Sequence, residues 1–193
     1  MAWLDILYPA HELEFASVPR FRILEFLAGS CTLSAMNATP AHPFTVRPAT
    51  PADIETLVAF TLSEALDAER RTLNRAEVRR GVAGAFAAPP KARYWVAEIE
   101  GNVVGAVSIV TEWSNFRGGD YWWIQSLYIV PERRGSGLVD VLLRHVVEEA
   151  RAAGALDLRL YGFNTNDRAL RAYQRFGFRE APYLILTRSL VGE

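Results

Sequence analysis

Cysteine and histidine, the residues that build disulfide frameworks and many metal sites, are scarce in this sequence. The 193 residues include one cysteine, Cys31, and three histidines, His11, His42 and His145. A single cysteine excludes an internal disulfide and fits a reducing compartment, and the histidines stand too far apart for metal-ligand spacing. We therefore predict a cytoplasmic protein that binds no metal. His145 falls between the apolar positions of a predicted helix, and we expect it on the surface.

Strong charge of one sign and long hydrophobic runs are also absent. The 21 basic and 22 acidic residues leave a formal net charge of −1, which excludes a general affinity for nucleic acid. No apolar run is long enough to cross a bilayer, so we expect no membrane partner. Half of the residues are hydrophobic, which gives a chain of this length enough apolar surface for one domain with a substantial core.

The N-terminal segment does not share the pattern of the remainder. Its apolar run at 23–28 contains a glutamate and begins too late in the chain to be a secretory signal. Residues 37–40, which follow Met36, have the composition of an ordinary loose N-terminus. We predict that residues 1–42 are an N-terminal extension, disordered or foreign to the natural product, and that residues 43–193 form the functional domain. On this hypothesis the functional protein starts near Met36.

Residues 121–143 combine an apolar strand, a proline, a glycine turn and an amphipathic helix. The strand, at 125–130, is rich in β-branched and aromatic residues, and Pro131 ends it because proline cannot donate to a sheet ladder. Gly135 and Gly137 then lead into a helix, where their flexible backbone lets N–H groups point at an anion. The helix dipole and two arginines add positive potential. Its apolar positions are Val139, Leu142, Leu143, Val146 and Ala150. The pattern predicts a phosphate-bearing ligand on this turn.

Taken alone, a glycine turn between a strand and a helix also occurs where the two elements simply pack tightly. Two familiar phosphate sites are excluded. No Lys-Ser or Lys-Thr pair follows the glycines, as a P-loop requires. The G-x-G-x-x-G spacing of a dinucleotide fold is absent as well.

The remaining elements follow from periodicity and from turn residues. Helix starts are predicted at 50–53, where a threonine cap precedes a proline, and at Asn74. A cap cluster at 164–167 precedes Ala169, Leu170, Tyr173 and Phe176 at helical spacing. Strands are predicted at 44–48, 94–100, 103–110, 125–130 and 156–161, with a closing strand pair after Gly177 that includes 183–186.

These residues resemble the GNAT superfamily of acyl-CoA-dependent N-acyltransferases. That family's pyrophosphate motif, Gln/Arg-x-x-Gly-x-Gly/Ala, corresponds to 134–139. Its later signature, Asn-x-x-Ala-x-x-x-Tyr followed by Gly-Phe, corresponds to 166–173 and then 177–178. The resemblance covers about 44–188. Val139 departs from it by replacing a small residue, and we expect its side chain to pack inward while its N–H faces the loop, so the departure bears on cofactor affinity.

The resemblance implies an α/β fold with a mixed, mostly antiparallel central sheet, a splayed parallel strand pair and flanking helices. It implies transfer of an acetyl group from acetyl-CoA, the cosubstrate, to a primary amine of a small molecule or a peptide. It leaves open whether the protein is a monomer or a homodimer. The pantetheine arm and the pyrophosphate would be held by Leu127, Tyr128, Ile129, Arg134, Gly135, Ser136, Gly137, Leu138, Val139, Asp140 and Asn166.

The resemblance also places Tyr173 as the proton donor to departing CoA, whereas the helical pattern alone would make it a core aromatic. Many relatives carry a glutamate on the central strand where this chain has Gln125. An amide cannot take a proton. Either Gln125 orients a water that passes the proton to an acidic residue, or an acceptor amine of low pKa needs no base. The acidic candidates are Glu112, Asp120 and Glu69.

The acceptor side of the site is less specified. Glu64, Asp67 and Glu69 form an acidic cluster, which is usually a solvated helix end, although in this superfamily the same connection forms one wall of the acceptor site. Trp113 and Trp123 are either sheet packing or an aromatic wall that binds a cation. We predict Glu69, Trp113 and Trp123 as substrate-binding residues.

Two other functions stay open at this point. The first is a catalytically inactive acyl-CoA-binding module, which Gln125 and Val139 favour because neither has the residue type found at that position in most relatives. The second is a binder of nucleotide phosphates.

Overall fold

The structure, a computed structural model, describes residues 44–88 and 90–190. The predicted N-terminal extension over 1–42 lies outside these residues, so the predicted start of the domain at residue 43 stays a prediction. None of the helices in the described ranges combines the length and the apolar character needed to cross a bilayer.

A five-stranded sheet forms the centre of the domain. Neighbouring strands follow one another in chain order, from β1 at one edge to β5 at the other. The first four strands pair antiparallel, and β4 and β5 pair parallel. The strands are β1 Thr45–Pro48, β2 Arg93–Ile99, β3 Asn102–Ser114, β4 Gly119–Ile129 and β5 Asp157–Leu160. The predicted fold class, a mostly antiparallel mixed sheet with one parallel pair, is confirmed.

Four helices in the described ranges flank this sheet: α1 Ile54–Glu69, α2 Arg75–Gly84, α3 Leu138–Ala152 and α4 Asp167–Arg175. The predicted start at Asn74 is confirmed, because the Asn74 side chain accepts hydrogen bonds from the N–H groups of Ala76 and Glu77 at 2.9 and 3.3 Å. Such a cap satisfies donors that have no partner within the helix.

The two faces of the sheet carry separate apolar clusters. On one face, Leu142 and Leu143 of α3 are fully buried against Trp122 of β4; we call this the α3 face. On the other face, Leu57 of α1 and Val82 of α2 pack against the strands, and we call this the α1 face. Burial of apolar side chains on both faces fixes α1 and α3 relative to β4.

The β4 strand contains one extra residue relative to β3. Ser126 pairs with Ser108 and Ile124 pairs with Ile109, so Gln125 has no partner in the register. A β-bulge of this kind bends the strand and reverses its alternation. Trp122 and Ile124 pack on the α3 face before the bulge, and Leu127 and Ile129 pack there after it. Ser126 consequently points to the α1 face.

β4 and β5 separate immediately before this bulge. Their parallel pairing runs only from Tyr121 to Ile124 on β4. Beyond it, the Val130 N–H donates to the Val104 carbonyl of β3 at 3.0 Å. Because N–H groups alternate along an antiparallel strand, those of Leu127 and Ile129 point away from β3, toward the side where β5 has ended. This part of β4 is called the open edge below.

Two expectations about side chains and strands were wrong. Residues 178–190 form no strand, and Leu184 and Leu186 are each 89% exposed. A strand-like composition therefore finds no partner here, since β-propensity depends on neighbouring strands. His145 is not a plain surface residue, because its ring packs edge-on against Trp95 with the ring centroids 5.7 Å apart. Its Nε2 atom is buried.

Candidate active site

A cavity of about 1220 Å³ opens where β4 and β5 separate. The end of α1, the face of α2, the open edge of β4, the glycine turn and α4 surround it. Among the predicted site residues, those that line the cavity are Glu69, Gln125, Leu127, Ile129, Arg134, Gly135, Gly137, Leu138, Val139, Asp140, Asn166 and Tyr173. Tyr128, Ser136, Trp113 and Trp123 are not among the lining residues.

The glycine turn has the backbone conformation that its sequence demands. Gly135 and Gly137 have φ angles of 86° and 83°, in the left-handed region that glycine adopts without a steric penalty. Gly137 is the residue immediately before α3. The first N–H groups of a helix have no acceptor within it, and together with the helix dipole they form an anion site. The turn is therefore suited to a phosphate group.

Arg134 links the open edge to α1. Its Nε donates to the Ile129 carbonyl at 3.0 Å, and its Nη2 donates to the Asp67 carboxylate. The hydrogen bond to that carboxylate raises the pKa of Arg134. The guanidinium also lies 5.4 Å from the centroid of the Tyr128 ring. The positive charge is thus beside the glycine turn but shared with an acidic partner.

Other side chains of this motif have structural contacts. The Ser136 hydroxyl donates to the Arg133 carbonyl at 2.7 Å, and Leu138 is 1% exposed. Val139 packs against the cluster on the α3 face and also borders the cavity. Tyr128 is buried and contacts the Phe60 ring with the centroids 5.1 Å apart. At Ser136, Leu138 and Tyr128 the side chain is therefore occupied by contacts within the protein.

α4 brings Tyr173 and Asn166 to the cavity. The Asn166 side chain accepts a hydrogen bond from the Ala169 N–H at 3.2 Å and so caps this helix. Tyr173 packs edge-on against Phe178, with the ring centroids 5.9 Å apart. Burial raises the pKa of Tyr173, and the negative charge of Glu64 raises it further. The phenol is therefore protonated at neutral pH and can act as a proton donor.

The sequence predicted Glu64 only as part of a solvated acidic cluster. This prediction was wrong, because Glu64 is half-buried and contacts β4. Its Oε2 accepts a hydrogen bond from the Ser126 hydroxyl, and its Oε1 accepts one from the Leu127 N–H at 3.2 Å. Burial raises the pKa of this carboxyl. Asp67 and Glu69, in contrast, are exposed. The available signal was helical spacing, since Glu64 lies two turns after the buried Leu57 on the same face of α1.

The acidic residues predicted to receive a proton through Gln125 lie elsewhere. Glu112 accepts a hydrogen bond from the Trp123 Nε1 at 2.5 Å, and Asp120 is exposed. Neither lines the cavity. Glu69 does line it, and it forms an exposed ion pair with Arg71 at 3.1 Å. Of the three, only Glu69 is at the site.

The two predicted tryptophans do not reach the cavity wall. Trp113 is 65% exposed. Trp123 stacks on Tyr161, with the ring centroids 4.6 Å apart. Tyr161, which the sequence analysis did not select, does line the cavity. Of this stacked pair, Tyr161 is therefore the ring that a ligand in the cavity would meet, and Trp123 lies behind it.

No group of three or more histidine, cysteine, aspartate or glutamate side chains in residues 44–88 and 90–190 is arranged to hold a metal ion.

This combination of an opened sheet and a glycine turn is that of an acyltransferase domain. The model of the Acetyltransferase (GNAT) family matches residues 58–178, more than half of the sequence, and the chain belongs to this family. The resemblance seen in the sequence is confirmed. Members of the family use acetyl-CoA.

Several solved structures are similar to this chain. A possible acetyltransferase from Clostridium difficile 630 is 25% identical with a TM-score of 0.72, and the match covers 77% of this chain and 99% of that one. A predicted acetyltransferase with acetyl-CoA from Clostridium acetobutylicum is 22% identical with a TM-score of 0.64, over 75% and 96% of the two chains. The Ribosomal-protein-alanine N-acetyltransferase from Brucella melitensis biovar Abortus 2308 is 16% identical with a TM-score of 0.63, over 77% and 99%. The last two establish the shared fold only.

The pairing of Arg134 with Asp67 generates a prediction. We expect Asp67→Asn to strengthen CoA binding by up to about fivefold, because an exposed ion pair is worth about 0–1 kcal/mol and its loss frees the guanidinium for the diphosphate. Isothermal titration calorimetry with CoA measures this directly, and the gain should shrink at high salt. Glu148→Gln, which removes an equal charge from the exposed side of α3, is the control. Unchanged or weaker binding by Asp67→Asn would contradict the expectation.

Proposed function

We propose that the protein transfers the acetyl group of acetyl-CoA to a primary amine of a small molecule or a peptide. The observation that carries this proposal is the open edge of β4, which leads directly into the glycine turn before α3. Acetyl-CoA has an arm with amide groups, which suits an unpaired strand edge, and a diphosphate, which suits a helix N-terminus. The roles given below to individual residues are part of the proposal.

The proposed position of acetyl-CoA follows from the open edge of β4 and from the N-terminus of α3. The pantetheine arm would lie along residues 127–129, and residues 134–140 would hold the diphosphate. Glu64 occupies the Leu127 N–H, so we assign polarisation of the thioester carbonyl to the Ile129 N–H. Arg168 and Arg171 of α4 border the same cavity and add positive charge that favours a phosphate-bearing ligand.

Acetyl transfer requires a neutral amine, a polarised carbonyl and a proton for the departing thiolate. The amine nitrogen attacks the carbonyl carbon, a C–N bond forms, and the C–S bond breaks. We assign the proton that the sulfur receives to the Tyr173 hydroxyl. The phenol keeps its proton at neutral pH, because burial raises its pKa, and its position on the cavity wall is the observation that supports the role.

The acceptor remains the least defined part of the proposal. Glu69 borders the cavity, and its charge supports contact with an ammonium group. Aromatic contact would be made by Tyr161 rather than by Trp113 or Trp123. Location in the cytoplasm and the choice between monomer and homodimer stay predictions.

An inactive acyl-CoA-binding module is less well supported than an enzyme. Membership of an acetyltransferase family favours activity. Val139, which raised the doubt about the cofactor, packs against the α3 face, so its side chain need not crowd the loop. A binder of nucleotide phosphates is the third alternative, and it predicts that ATP raises the thermal stability where CoA does not.

Consumption of acetyl-CoA in the presence of candidate amines tests the proposal. Purified protein should release CoA with at least one member of a panel of polyamines, aminoglycosides, amino acids and peptides with free N-termini, and mass spectrometry should find the product heavier by one acetyl group. CoA binding without turnover across the panel would favour the inactive module. Failure to bind CoA or acetyl-CoA at all would overturn the proposal.

The role of Tyr173 gives a second prediction. Tyr173→Phe should lower kcat by about 10²-fold or more, because the thiolate loses its proton donor, while the affinity for CoA stays nearly unchanged. Steady-state kinetics and calorimetry measure the two quantities. Tyr183→Phe, at an exposed tyrosine, is the matched control. A loss that comes entirely from weaker CoA binding would assign Tyr173 a structural role instead.

A further inference from the structure

Asp53, which is buried, and Glu64, which is half-buried, are held by partners that differ in kind. Asp53 receives two hydrogen bonds from the Arg47 guanidinium, at 2.8 and 2.9 Å. That hydrogen-bonded partner lowers the pKa of Asp53 to about 2. Asp53 is thus a permanently charged structural group at the start of α1. It does not line the cavity.

Glu64 is held without a cation. Its contacts are the Ser126 hydroxyl and the Leu127 N–H, and no lysine or arginine of the described ranges forms an ion pair with it. A buried carboxylate without a positive partner is costly to ionise. The two neutral donors therefore position the Glu64 carboxyl, and no cation holds it in the ionised form.

The location of Glu64 is as specific as its contacts. It lines the same cavity as Gln125 and Tyr173, and it approaches β4 from the α1 face at the residues just after the bulge. Glu64 accepts a hydrogen bond from the Leu127 N–H, two residues before Ile129. In the proposed function the Ile129 N–H polarises the thioester carbonyl. Two residues along a strand span about 7 Å. An amine nitrogen placed between Glu64 and the carbonyl carbon could therefore contact both.

We propose that Glu64 is the general base of the reaction, and that Ser126 is the residue that positions it. This inference rests on the proposed function and supplies the proton acceptor that Gln125 cannot provide. The catalytic carboxylate then comes from α1 across the sheet face, and the extra residue at the bulge turns Ser126 toward it.

The proton balance of the step is complete. An ammonium group becomes an amide by losing two protons. Glu64 takes the first before the nitrogen attacks and the second as the C–S bond breaks, and it passes each of them to water. Tyr173 gives one proton to the sulfur and regains one from water. The overall reaction converts an ammonium ion and acetyl-CoA to an amide, CoA and one released proton.

The pH dependence has a definite sign. Because the base must be ionised, kcat/KM falls as the pH drops through the pKa of Glu64, which burial raises above the ordinary glutamate value. The charged and titratable groups that act on this carboxyl are Glu69 of the same helix, Tyr94 of β2 and Tyr173 of α4. The ion pair of Asp67 with Arg134 lies one turn further along α1.

Kinetics of Glu64→Gln test the proposal. We expect kcat to fall by about 10²–10⁴-fold, with the affinity for acetyl-CoA nearly unchanged and the acidic limb of the kcat/KM profile removed. Glu64→Asp should retain part of the activity. Glu148→Gln is the matched control and should behave like the wild type. A Glu64→Gln protein that keeps wild-type kcat and keeps the acidic limb would overturn the assignment.

Ser126→Ala tests the positioning role by a readout that a packing defect would not move. In the wild type, the hydrogen bond from Ser126 favours the charged form of Glu64 and so lowers its pKa. Removing this hydrogen bond should raise the pKa of Glu64 and shift the acidic limb to higher pH. An unshifted limb would overturn the role of Ser126.

The wild-type profile decides the main point even if the Glu64 variants do not fold. Measured with two acceptors of different amine pKa, an acidic limb at a fixed pH above the ordinary glutamate range supports Glu64. A limb that moves with the acceptor overturns it. Absence of transfer to any amine by the wild type would instead be a failure of the proposed function.

Discussion

A single unpaired residue in β4 determines how this domain is arranged around its cavity. Gln125 has no register partner on β3, and the parallel pairing with β5 ends at the residue before it. A bulge increases the local twist of a strand, which moves the end of β4 away from β5. The main chain after the bulge is then exposed along one edge, and Pro131 prevents further ladder hydrogen bonds. The cavity forms in the space between the two strands.

The electrostatics of the site depend on this opening. Helix α3 begins at the end of the opened strand, so its N-terminus and the left-handed glycines lie at one end of the cavity. Glu64 enters from α1 at the bulge, and Tyr173 enters from α4. The positive helix terminus, the half-buried carboxyl and the half-buried phenol therefore face one space. The positive helix terminus suits an anionic cosubstrate, and acyl transfer from a thioester to an amine also needs a proton acceptor and a proton donor.

Features encoded by neighbouring residues could be predicted from the sequence, and features that depend on distant pairs could not. The glycine turn, the cap at Asn74 and the stripe of α3 are local patterns, and each is present in the fold. The contact of Glu64 with Ser126 joins residues 62 positions apart, and helical periodicity gives only the face that Glu64 occupies. The closing strands after Gly177 failed as a prediction, because composition does not reveal whether a neighbouring strand is in reach. Whether Trp123 reaches the cavity depends on its place in β4 relative to the bulge, which the sequence does not reveal.

The most direct measurement of the central claim is the response of individual backbone amides to CoA. In ¹⁵N-labelled protein, titration with CoA should produce the largest chemical-shift changes at Ile129 and at the amides of residues 135–140, while Ala97, in the middle of β2, stays unchanged. Binding of CoA that leaves Ile129 and the glycine turn unperturbed would contradict the account, because the ligand would then lie somewhere other than the opened edge of the sheet.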